Sequence, residues 1–498
     1  MSDVKKIREA MISVLPTSSS NFGESIEARF MYLPSAHIKA LRLDCNLVVG
    51  ARGVGKSFWT SALADADLRK KLKQDLPELE NTEVHIGFSV KEEIDDYPNS
   101  DIFIQLIGAK FEAYDIWRAV VTRWLSKVVD QSIPCQEWKD TVIWVKENPE
   151  GLARLVQAAN TIFQETGKAG LIIFDALDRT SHDWNGMDNI VRDLLRAVLW
   201  LKSFSCLYAK VFLREDQFNR AVMNFPDASK LLATKVELTW LGSDLHGLLW
   251  QILCNADGGH GACLRGVYQQ GLLGFLPLGG ASNYKPDSFM DKLHSPNEGD
   301  EIWRIHDELK RNTEQQRKLF ELLAGAWMGT NPRRGVPYVW IVSHLADGQG
   351  LTSPRSFLVA IRESAENSRD KHPEHTVALH YESIKTGVQK ASEIRVAEIA
   401  EDYPWVRHIM KPLQGLSLPC EFRQIEEKWR QEFPEGLSSI TANKLPPQNI
   451  DQGWLGMKND LARIGFFTTK KDGRTDMPDL YRVGFGLGRR GGVKPNKS

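Results

Sequence analysis

The stretch from Gly50 to Ser57, Gly-Ala-Arg-Gly-Val-Gly-Lys-Ser, constrains the fold of this chain more than any other. It fits the spacing G-x-x-x-x-G-K-[ST], in which successive backbone N–H groups wrap a polyphosphate. A Cβ would block that approach, so glycine is expected where the loop turns and closes, at Gly50 and Gly55. Lys56 can then reach the β- and γ-phosphates, and the hydroxyl group of Ser57 can ligate Mg²⁺.

The residues on either side of this loop supply the frame that the motif needs. Residues 43–49 predict a short buried strand, and residues 58–68 predict a helix that points its positive end at the bound anion. The alternative, a glycine-rich turn with a chance lysine, does not explain all four fixed positions in such a frame. The sequence therefore predicts an ATP and Mg²⁺ site whose nucleotide contacts come from Gly50, Ala51, Arg52, Gly53, Val54, Gly55, Lys56, Ser57 and Phe58.

Composition places the chain among ordinary globular proteins. It has 498 residues, 42% hydrophobic and 26% charged, which predicts roughly two to four domains. The formal net charge of −1 gives no global field, so any nucleic-acid contact would need a local basic patch. The six cysteines form no C-x-x-C pair, the N-terminus has no apolar signal region, and no run approaches the roughly 18 apolar residues of a membrane span. We expect a cytoplasmic protein that does not contact membranes.

A second landmark is the segment 169–179, Ala-Gly-Leu-Ile-Ile-Phe-Asp-Ala-Leu-Asp-Arg. Its apolar run predicts a fully buried parallel strand that ends at Asp175, on the edge where ligands collect in such sheets. This is a Walker B pattern, in which Asp175 would hold Mg²⁺ opposite Ser57. Asp178 is then placed to orient or deprotonate the attacking water, although an aspartate here is also a good helix cap. Arg179 would pair with either acid or face a neighbouring subunit's phosphate.

Two further strands complete the predicted core. Residues 209–213 are mostly apolar and end in charge at Arg214, and Asp216 follows closely. Arg214 is our first candidate for a sensor of the γ-phosphate or the attacking water, and Asp216 is the second. Residues 235–241 predict a last strand. Strands that alternate with helices in this way predict a doubly wound parallel sheet, the α/β core of a P-loop NTPase.

We divide the rest of the chain by composition and periodicity. The predicted domains are a helical lead-in, the P-loop core, a weakly structured Gly/Pro-rich insertion, a helical lid region and a C-terminal module, at residues 1–42, 43–255, 256–299, 300–445 and 446–498. Ser353 and Pro354 predict a helix start that puts Arg355 in the first turn of a lid helix, where it either has a functional role or is an ordinary surface arginine. Arg333 and Arg334 are either trans-acting fingers or solvated turn charges.

The C-terminal module has the pattern of a winged helix. A predicted helix ends at Gly465, a strand follows, and Asp472-Gly473 predicts a hairpin turn. From Lys458 to Ser498 there are ten Lys and Arg against four Asp, a local charge of +6. Such a charge suits contact with a DNA backbone through Lys470, Lys471 and Arg474, and it suits a solvated protein-docking module equally well.

Together the motifs resemble those of bacterial P-loop ATPases of the AAA and STAND grouping, including their KAP relatives. The resemblance rests on the two Walker patterns and on Val211-Phe-Leu-Arg214, and it spans roughly residues 30–370. It implies a second-sensor role for Arg355, a homo-oligomer and control of a protein effector, as in antiphage systems. The chain has no Asp-Glu pair in its Walker B pattern and no KAP membrane insertion, so the acid that activates water stays open.

The leading hypothesis is an Mg²⁺-dependent ATPase whose nucleotide state controls self-assembly or a partner. The alternative is a nucleotide-switched DNA- or protein-binding module with little hydrolysis. A GTPase is disfavoured because no N-K-x-D element follows the sensor strand, and an ABC-type ATPase is disfavoured because no L-S-G-G-Q-like signature is present. The leading hypothesis requires Ser57 and Asp175 to converge in space.

Overall fold

The structure is a computed structural model that describes residues 3–17, 27–181, 183–218, 221–273, 302–437 and 446–495. Its strands are β1 (Leu47–Gly50), β2 (Thr82–Phe88), β3 (Ala169–Phe174), β4 (Leu207–Arg214), β5 (Val236–Glu237), β6 (Ser417–Leu418), β7 (Thr468–Thr469), β8 (Thr475–Asp476) and β9 (Gly488–Arg489). The first five form one parallel sheet, and the last four form two small pairs.

Helices surround the sheet and form most of the second half of the chain. Those up to the end of the predicted core are α1 (Asp3–Val14), α2 (Ser35–Leu41), α3 (Lys56–Ala64), α4 (Ala66–Leu72), α5 (Ser100–Gly108), α6 (Ala113–Val129), α7 (Trp138–Glu147), α8 (Pro149–Glu165), α9 (Trp184–Leu201), α10 (Glu215–Phe218), α11 (Ser229–Leu232) and α12 (Gly242–Cys254). Those that follow are α13 (Gly258–Leu273), α14 (Asp307–Arg311), α15 (Thr313–Ala324), α16 (Pro337–His344), α17 (Pro354–Lys371), α18 (Tyr381–Asp402), α19 (Pro404–Met410), α20 (Phe422–Glu432), α21 (Gly453–Arg463) and α22 (Asp479–Arg482).

The order of strands in the large sheet is β2-β3-β4-β1-β5, and all its pairs are parallel. The predicted sensor strand β4 therefore lies between the P-loop strand and the Walker B strand. In the register, Gly50 pairs with Arg214 and Phe174 pairs with Val211. The carboxyl ends of β1, β3 and β4 thus meet at one edge of the sheet, where ligands bind in open α/β folds.

Alternate residues of β3 enter two different cores. Ile172 and Phe174 pack in the large core that also contains α6 and α9, whereas Leu171 and Ile173 pack in the core beside α3 and α4. A strand that is covered on both faces must be apolar throughout, which explains the unbroken hydrophobic run of β3. The chain has the predicted α/β P-loop NTPase fold with a doubly wound parallel sheet.

The prediction of weak structure from residue 256 onward is wrong for its first part. Residues 258–273 form helix α13, which packs against α1, α12 and α15. Its glycines lower the intrinsic helix propensity, but burial of residues such as Leu264 and Tyr268 outweighs that local cost. The remainder of the predicted insertion, 274–299, lies outside the described residues.

The C-terminal module has the winged-helix-like arrangement that its turn residues predict. Helix α21 ends just before Gly465, whose φ is 81°, and β7 and β8 form an antiparallel hairpin closed at Gly473, whose φ is 86°. Strand β9 pairs in parallel with β6, and Thr475 bridges to Cys420, so the module includes partners from before the predicted boundary at 446. Among the described residues, no helix is both long and apolar enough to cross a membrane.

Candidate nucleotide site

The P-loop has the backbone conformation that its glycines predict. Gly53 and Gly55 have φ of 78° and 105°, in the left-handed region where side chains with a Cβ are strained. Gly50 is needed for a different reason, because a Cβ there would lie 2.7 Å from Cγ1 of Val54. Helix α3 begins at Lys56 directly after the loop, so its N-terminal N–H groups face the same space.

Lys56 lies over the loop. Its Nζ donates to the carbonyl oxygens of Gly50 and Ala51, both at 2.9 Å. Burial lowers the pKa of Lys56 to about 8, although the carboxylates of Asp175, Asp216 and Asp178 oppose that shift. A buried ammonium held mainly by two neutral carbonyl groups is well prepared to bind an anion.

The structure brings together the two predicted magnesium ligands. The hydroxyl group of Ser57, in the first turn of α3, lies close enough to the carboxylate of Asp175, at the end of β3, to lower the pKa of that acid. Asp175 is only 3% exposed, and its burial raises the pKa of that carboxyl group, while Ser57 and Lys56 act to lower it. A hydroxyl and a carboxylate beside a lysine form an oxygen ligand pair of the kind that Mg²⁺ uses with phosphate.

The position of Asp178 is set by an irregular backbone directly after β3. Ala176 has φ 56° and ψ 34°, a left-handed conformation that is costly for alanine, and a 3₁₀ turn spans Leu177–Arg179. This turn brings Oδ2 of Asp178 to 3.8 Å from Nη1 of Arg214. The helix cap that follows is Asp183, which accepts from the N–H of Gly186, so Asp178 does not cap α9.

Arg214, the predicted sensor, is held by acids on several sides. Its Nε and Nη2 donate to both carboxylate oxygens of Asp216 at 3.1 and 2.9 Å, and its Nη1 donates to Asp402 at 3.0 Å. Nη2 also donates to the hydroxyl group of Tyr403. Burial alone would lower the pKa of Arg214, but Asp216, Asp402 and Asp178 outweigh it and raise that pKa. The guanidinium is fixed in orientation at the end of β4.

The C-terminal end of α18 supplies acids to the other arginines at the site. Asp402 also pairs with Arg52 of the P-loop. Glu401 lies 3.7 Å from the same arginine, and Glu398 lies 2.5 Å from Arg355. Arg52, Arg214 and Arg355, which the sequence predicts to lie at the phosphates, are thus all paired with acids from the last turn of α18.

The lid helix begins where the sequence predicts. Ser353 caps α17 by accepting from the N–H of Ser356, and Pro354 occupies its first position. Arg355 therefore lies in the first turn, half-buried, with Glu398 as its partner. The side chain of Ser353 also approaches the P-loop, since its Oγ lies 3.2 Å from where a Cβ of Gly53 would be.

The acids on α18 and the buried Arg395 on the same helix are not among the residues that the sequence predicts for the site. The sequence contains one indication that these acids have a partner outside their helix. Glu398, Glu401 and Asp402 occupy the last turn of α18, which contains no basic residue, although negative charge is unfavourable at the negative end of a helix dipole. Acids in that position indicate external cations, but the sequence does not say which ones.

A cavity of about 70 Å³ lies between the P-loop and the C-terminal module. Its lining comes from the P-loop, the end of β4, α10, the 347–349 turn, α18 and the C-terminal module, and includes Ala51, Arg52, Arg214, Glu215, Asp347, Arg395, Asp402, Phe466 and Tyr481. The N–H of Gly348 donates to the carbonyl of Gly465 at 3.0 Å. The C-terminal module therefore closes over the predicted site, rather than standing apart from it.

The remaining basic candidates lie on the surface. Arg333 and Arg334 are exposed in a 3₁₀ turn, and Arg179 is also exposed. In the C-terminal module, Lys470 pairs with Asp476 at 2.9 Å and Arg474 pairs with Asp472 at 2.7 Å. Two of the three basic residues proposed for DNA contact thus already have acidic partners within the module.

Comparison with known proteins yields likenesses of structure alone. No protein-family profile matches the chain, and no curated protein matches it in sequence. The ORC2 protein of Aeropyrum pernix, solved in ADPNP-ADP complexes, aligns with 88% of this chain and 84% of its own, with 11% identity and a TM-score of 0.37. The ORC1 protein of Aeropyrum pernix, solved in complex with DNA, aligns with 91% of each chain, with 11% identity and a TM-score of 0.35. We therefore argue function from the site itself.

Proposed function

We propose that this protein is an Mg²⁺-dependent ATPase. The observation that carries the proposal is the convergence of Ser57 and Asp175, beside a P-loop whose glycines and lysine have the required conformation. Ser57 comes from the first turn of α3 and Asp175 from the end of β3, and both lie beside Lys56. A purely structural glycine turn has no need of a buried carboxylate and a buried ammonium at its mouth.

The residues present fit both the nucleotide and the metal. Gly50 to Phe58 would hold the phosphates through backbone N–H groups and Lys56, and Ser57 and Asp175 would hold Mg²⁺. Bound Mg²⁺ would neutralise charge on the β- and γ-phosphates. Asp178 is the proposed water-activating acid, and Arg214 and Arg355 are the proposed phosphate sensors.

The test compares Lys56→Ala with Lys70→Ala, an exposed lysine of α4 paired with Asp67. We expect Lys56→Ala to abolish ATP binding and phosphate release, and Lys70→Ala to retain both. Binding is measured with a fluorescent ATP analogue and turnover by phosphate release, with and without EDTA. Unchanged turnover of Lys56→Ala at saturating ATP and Mg²⁺ would show that the site assignment is wrong.

We propose further that the nucleotide state controls self-assembly or a protein effector, with antiphage defence as the setting that the family resemblance implies. The support is the position of the C-terminal module, which closes over the cavity through Gly465, Phe466 and Tyr481. Mass measurement in solution with and without a non-hydrolysable ATP analogue tests assembly. Plaque assays on cells expressing the gene in its native neighbourhood test defence.

The alternative is a nucleotide-switched binding module with little hydrolysis. The extensive ion pairing of Arg214 favours it, since a sensor that is already engaged by Asp216 and Asp402 must exchange partners before it acts. The two functions differ in the response to Asp178→Asn. Loss of biological activity in that variant supports an ATPase, and retention supports a switch.

A further inference from the structure

Arg395 lies on α18, outside every motif that the sequence provides, yet it reaches the P-loop. Its Nη1 is 3.8 Å from the position that a Cβ of Gly53 would occupy. It lines the same cavity as Ala51, Arg52 and Arg214. A guanidinium is thus packed against the loop that would hold a polyphosphate.

The partners of Arg395 leave one of its donors unused. Arg395 is 5% exposed, and its carboxylate contact is a long one, 3.5 Å from Nη1 to Glu398. Against the effect of burial, Tyr481, Glu398 and Asp347 raise its pKa, while its Nε has no hydrogen-bond partner among the described residues. Because a buried N–H donor without a partner is costly, this arrangement indicates a missing anion.

The neighbouring arginines have closer acid partners. Asp216 and Asp402 bond Arg214 at 2.9 to 3.0 Å, and Glu398 bonds Arg355 at 2.5 Å. Those residues must give up a partner to bind phosphate. Among these arginines, Arg395 has the most distant carboxylate to compete with phosphate, and it is the most buried. An anion bound at the P-loop would therefore be stabilised most by Arg395.

We propose that Arg395 is a phosphate ligand of the bound nucleotide, supplied by α18 and not by the P-loop core. The inference rests on the proposed nucleotide site and adds a residue to it. Guanidinium groups suit this role because their planar donors match phosphate oxygens.

The same helix connects that contact to the C-terminal module. One turn before Arg395, Oγ of Ser392 donates to the carbonyl of Leu480 at 2.6 Å and accepts from the N–H of Gly484 at 2.8 Å. Tyr481 lies between these two contacts in the sequence and lines the same cavity as Arg395. Helix α18 thus contacts both the phosphate site and residues 479–487. Phosphate binding at Arg395 would therefore affect those residues through this one helix.

The test measures the Kd of a non-hydrolysable ATP analogue and of ADP for four proteins. They are the wild type, Arg395→Gln, Lys385→Gln and Lys390→Gln, the last two removing partly exposed lysines of the same helix. We expect Arg395→Gln to weaken binding about tenfold or more, which corresponds to loss of one charge-assisted hydrogen bond. Lys385→Gln and Lys390→Gln should stay within about twofold of the wild type, since neither removes the guanidinium.

Each outcome bears on a different claim. Equal losses in Arg395→Gln and in the two lysine variants would show a general effect of charge on α18 and overturn the inference. If Arg395→Gln loses affinity for the ATP analogue alone, Arg395 contacts the terminal phosphate. If it also loses affinity for ADP, Arg395 contacts one of the phosphates that ADP shares with ATP. Wild-type affinity in Arg395→Gln, with no binding by Lys56→Ala, would overturn this inference and leave the ATP site standing. Absence of binding by the wild type would overturn the proposed function itself.

A second variant and a second measurement keep the test decisive if Arg395→Gln does not fold. Arg395→Lys keeps the charge but loses the planar donors, and we expect an intermediate loss of about threefold or more. Hydrogen exchange of residues 479–487 should slow when the ATP analogue binds to the wild type. The same slowing in Arg395→Lys at saturating analogue, with unchanged affinity, would contradict the proposal.

Discussion

Arg214, at the end of β4, donates from Nη1 to Oδ2 of Asp402, at the end of α18, over 3.0 Å. Arg52 of the P-loop pairs with the same carboxylate oxygen. One buried acid from the second half of the chain thus neutralises two arginines that face the predicted phosphate site. In this position Asp402 provides a negative charge where the phosphates of a nucleotide would provide another.

Asp402→Asn should destabilise the nucleotide-free protein. Removing one partner leaves buried positive charge, which typically costs about 3 kcal/mol of unfolding free energy. Added ATP analogue should recover much of that loss, because phosphate supplies the missing charge. Urea denaturation with and without the analogue measures both effects. Glu401→Gln is the matched control, since Glu401 is 74% exposed and should matter little. Equal losses with and without nucleotide would contradict this prediction.

Asp178→Asn should abolish hydrolysis and preserve binding. An acid that activates water contributes about 10²- to 10⁴-fold to the rate, while the phosphates are held by other groups. The comparison variant is Glu215→Gln, because Glu215 also lines the cavity and burial, with Asp347 nearby, raises its pKa. Single-turnover phosphate release separates the two acids. If Glu215→Gln alone loses turnover, Glu215 is the activating acid and the assignment to Asp178 is wrong.

Affinity for ATP should fall as the pH rises above about 8. In the free protein burial lowers the pKa of Lys56 to about 8, and bound phosphate favours its charged form. Binding therefore takes up a proton above that pH, and the Kd should rise towards tenfold per pH unit there. Below about pH 7.5 this lysine is already charged and gives no dependence. The charged groups acting on Lys56 are Asp175, Arg214, Asp216 and Asp178. A flat titration from pH 7 to 9.5 would contradict this prediction.

Lys210→Met should destabilise the core without touching the proposed site. The buried Nζ of Lys210 donates to the carbonyls of Ala40, Arg42 and Cys45 at 2.7, 2.9 and 2.6 Å, and so ties β4 to the turn before β1. Loss of these donors should cost about 3 kcal/mol in unfolding free energy at pH 7. Chemical denaturation measures the loss. Lys168→Met removes an exposed pair with Glu83 and should change little, and similar values for the two variants would contradict the prediction.

Any DNA binding by the C-terminal module should be weak. Lys470 and Arg474 already pair with Asp476 and Asp472, which would compete with DNA phosphates for them. Of the three basic residues, Lys471 should therefore contribute most to a phosphate contact. The triple variant that neutralises these three basic residues should reduce the salt slope by about one, whereas three phosphate contacts would reduce it by nearly three. Fluorescence anisotropy with duplex DNA between 50 and about 200 mM salt gives the slope. An unaltered slope would exclude DNA contact through these residues.

Short-range patterns specified much of this protein. Ser353 and Pro354 begin the helix that they predict, and the turn at Gly473 closes the predicted hairpin. The P-loop conformation follows from glycines at fixed spacings, because only glycine readily adopts positive φ. Apolar runs likewise determine the buried strands. Each of these features depends on neighbours within a few residues, so one sequence suffices to recognise it.

Tertiary structure decided the rest. The insertion of β4 between β1 and β3, the helix at residues 258–273 and the placement of α18 over the P-loop depend on packing between distant segments. The pairing of Asp402 with Arg52 and Arg214 is of this kind. An ion pair requires only opposite charges at the right distance, and a sequence supplies the charges but not the distance. The sequence therefore predicted which chemistry the P-loop favours, and the fold alone determined which acids and arginines surround it.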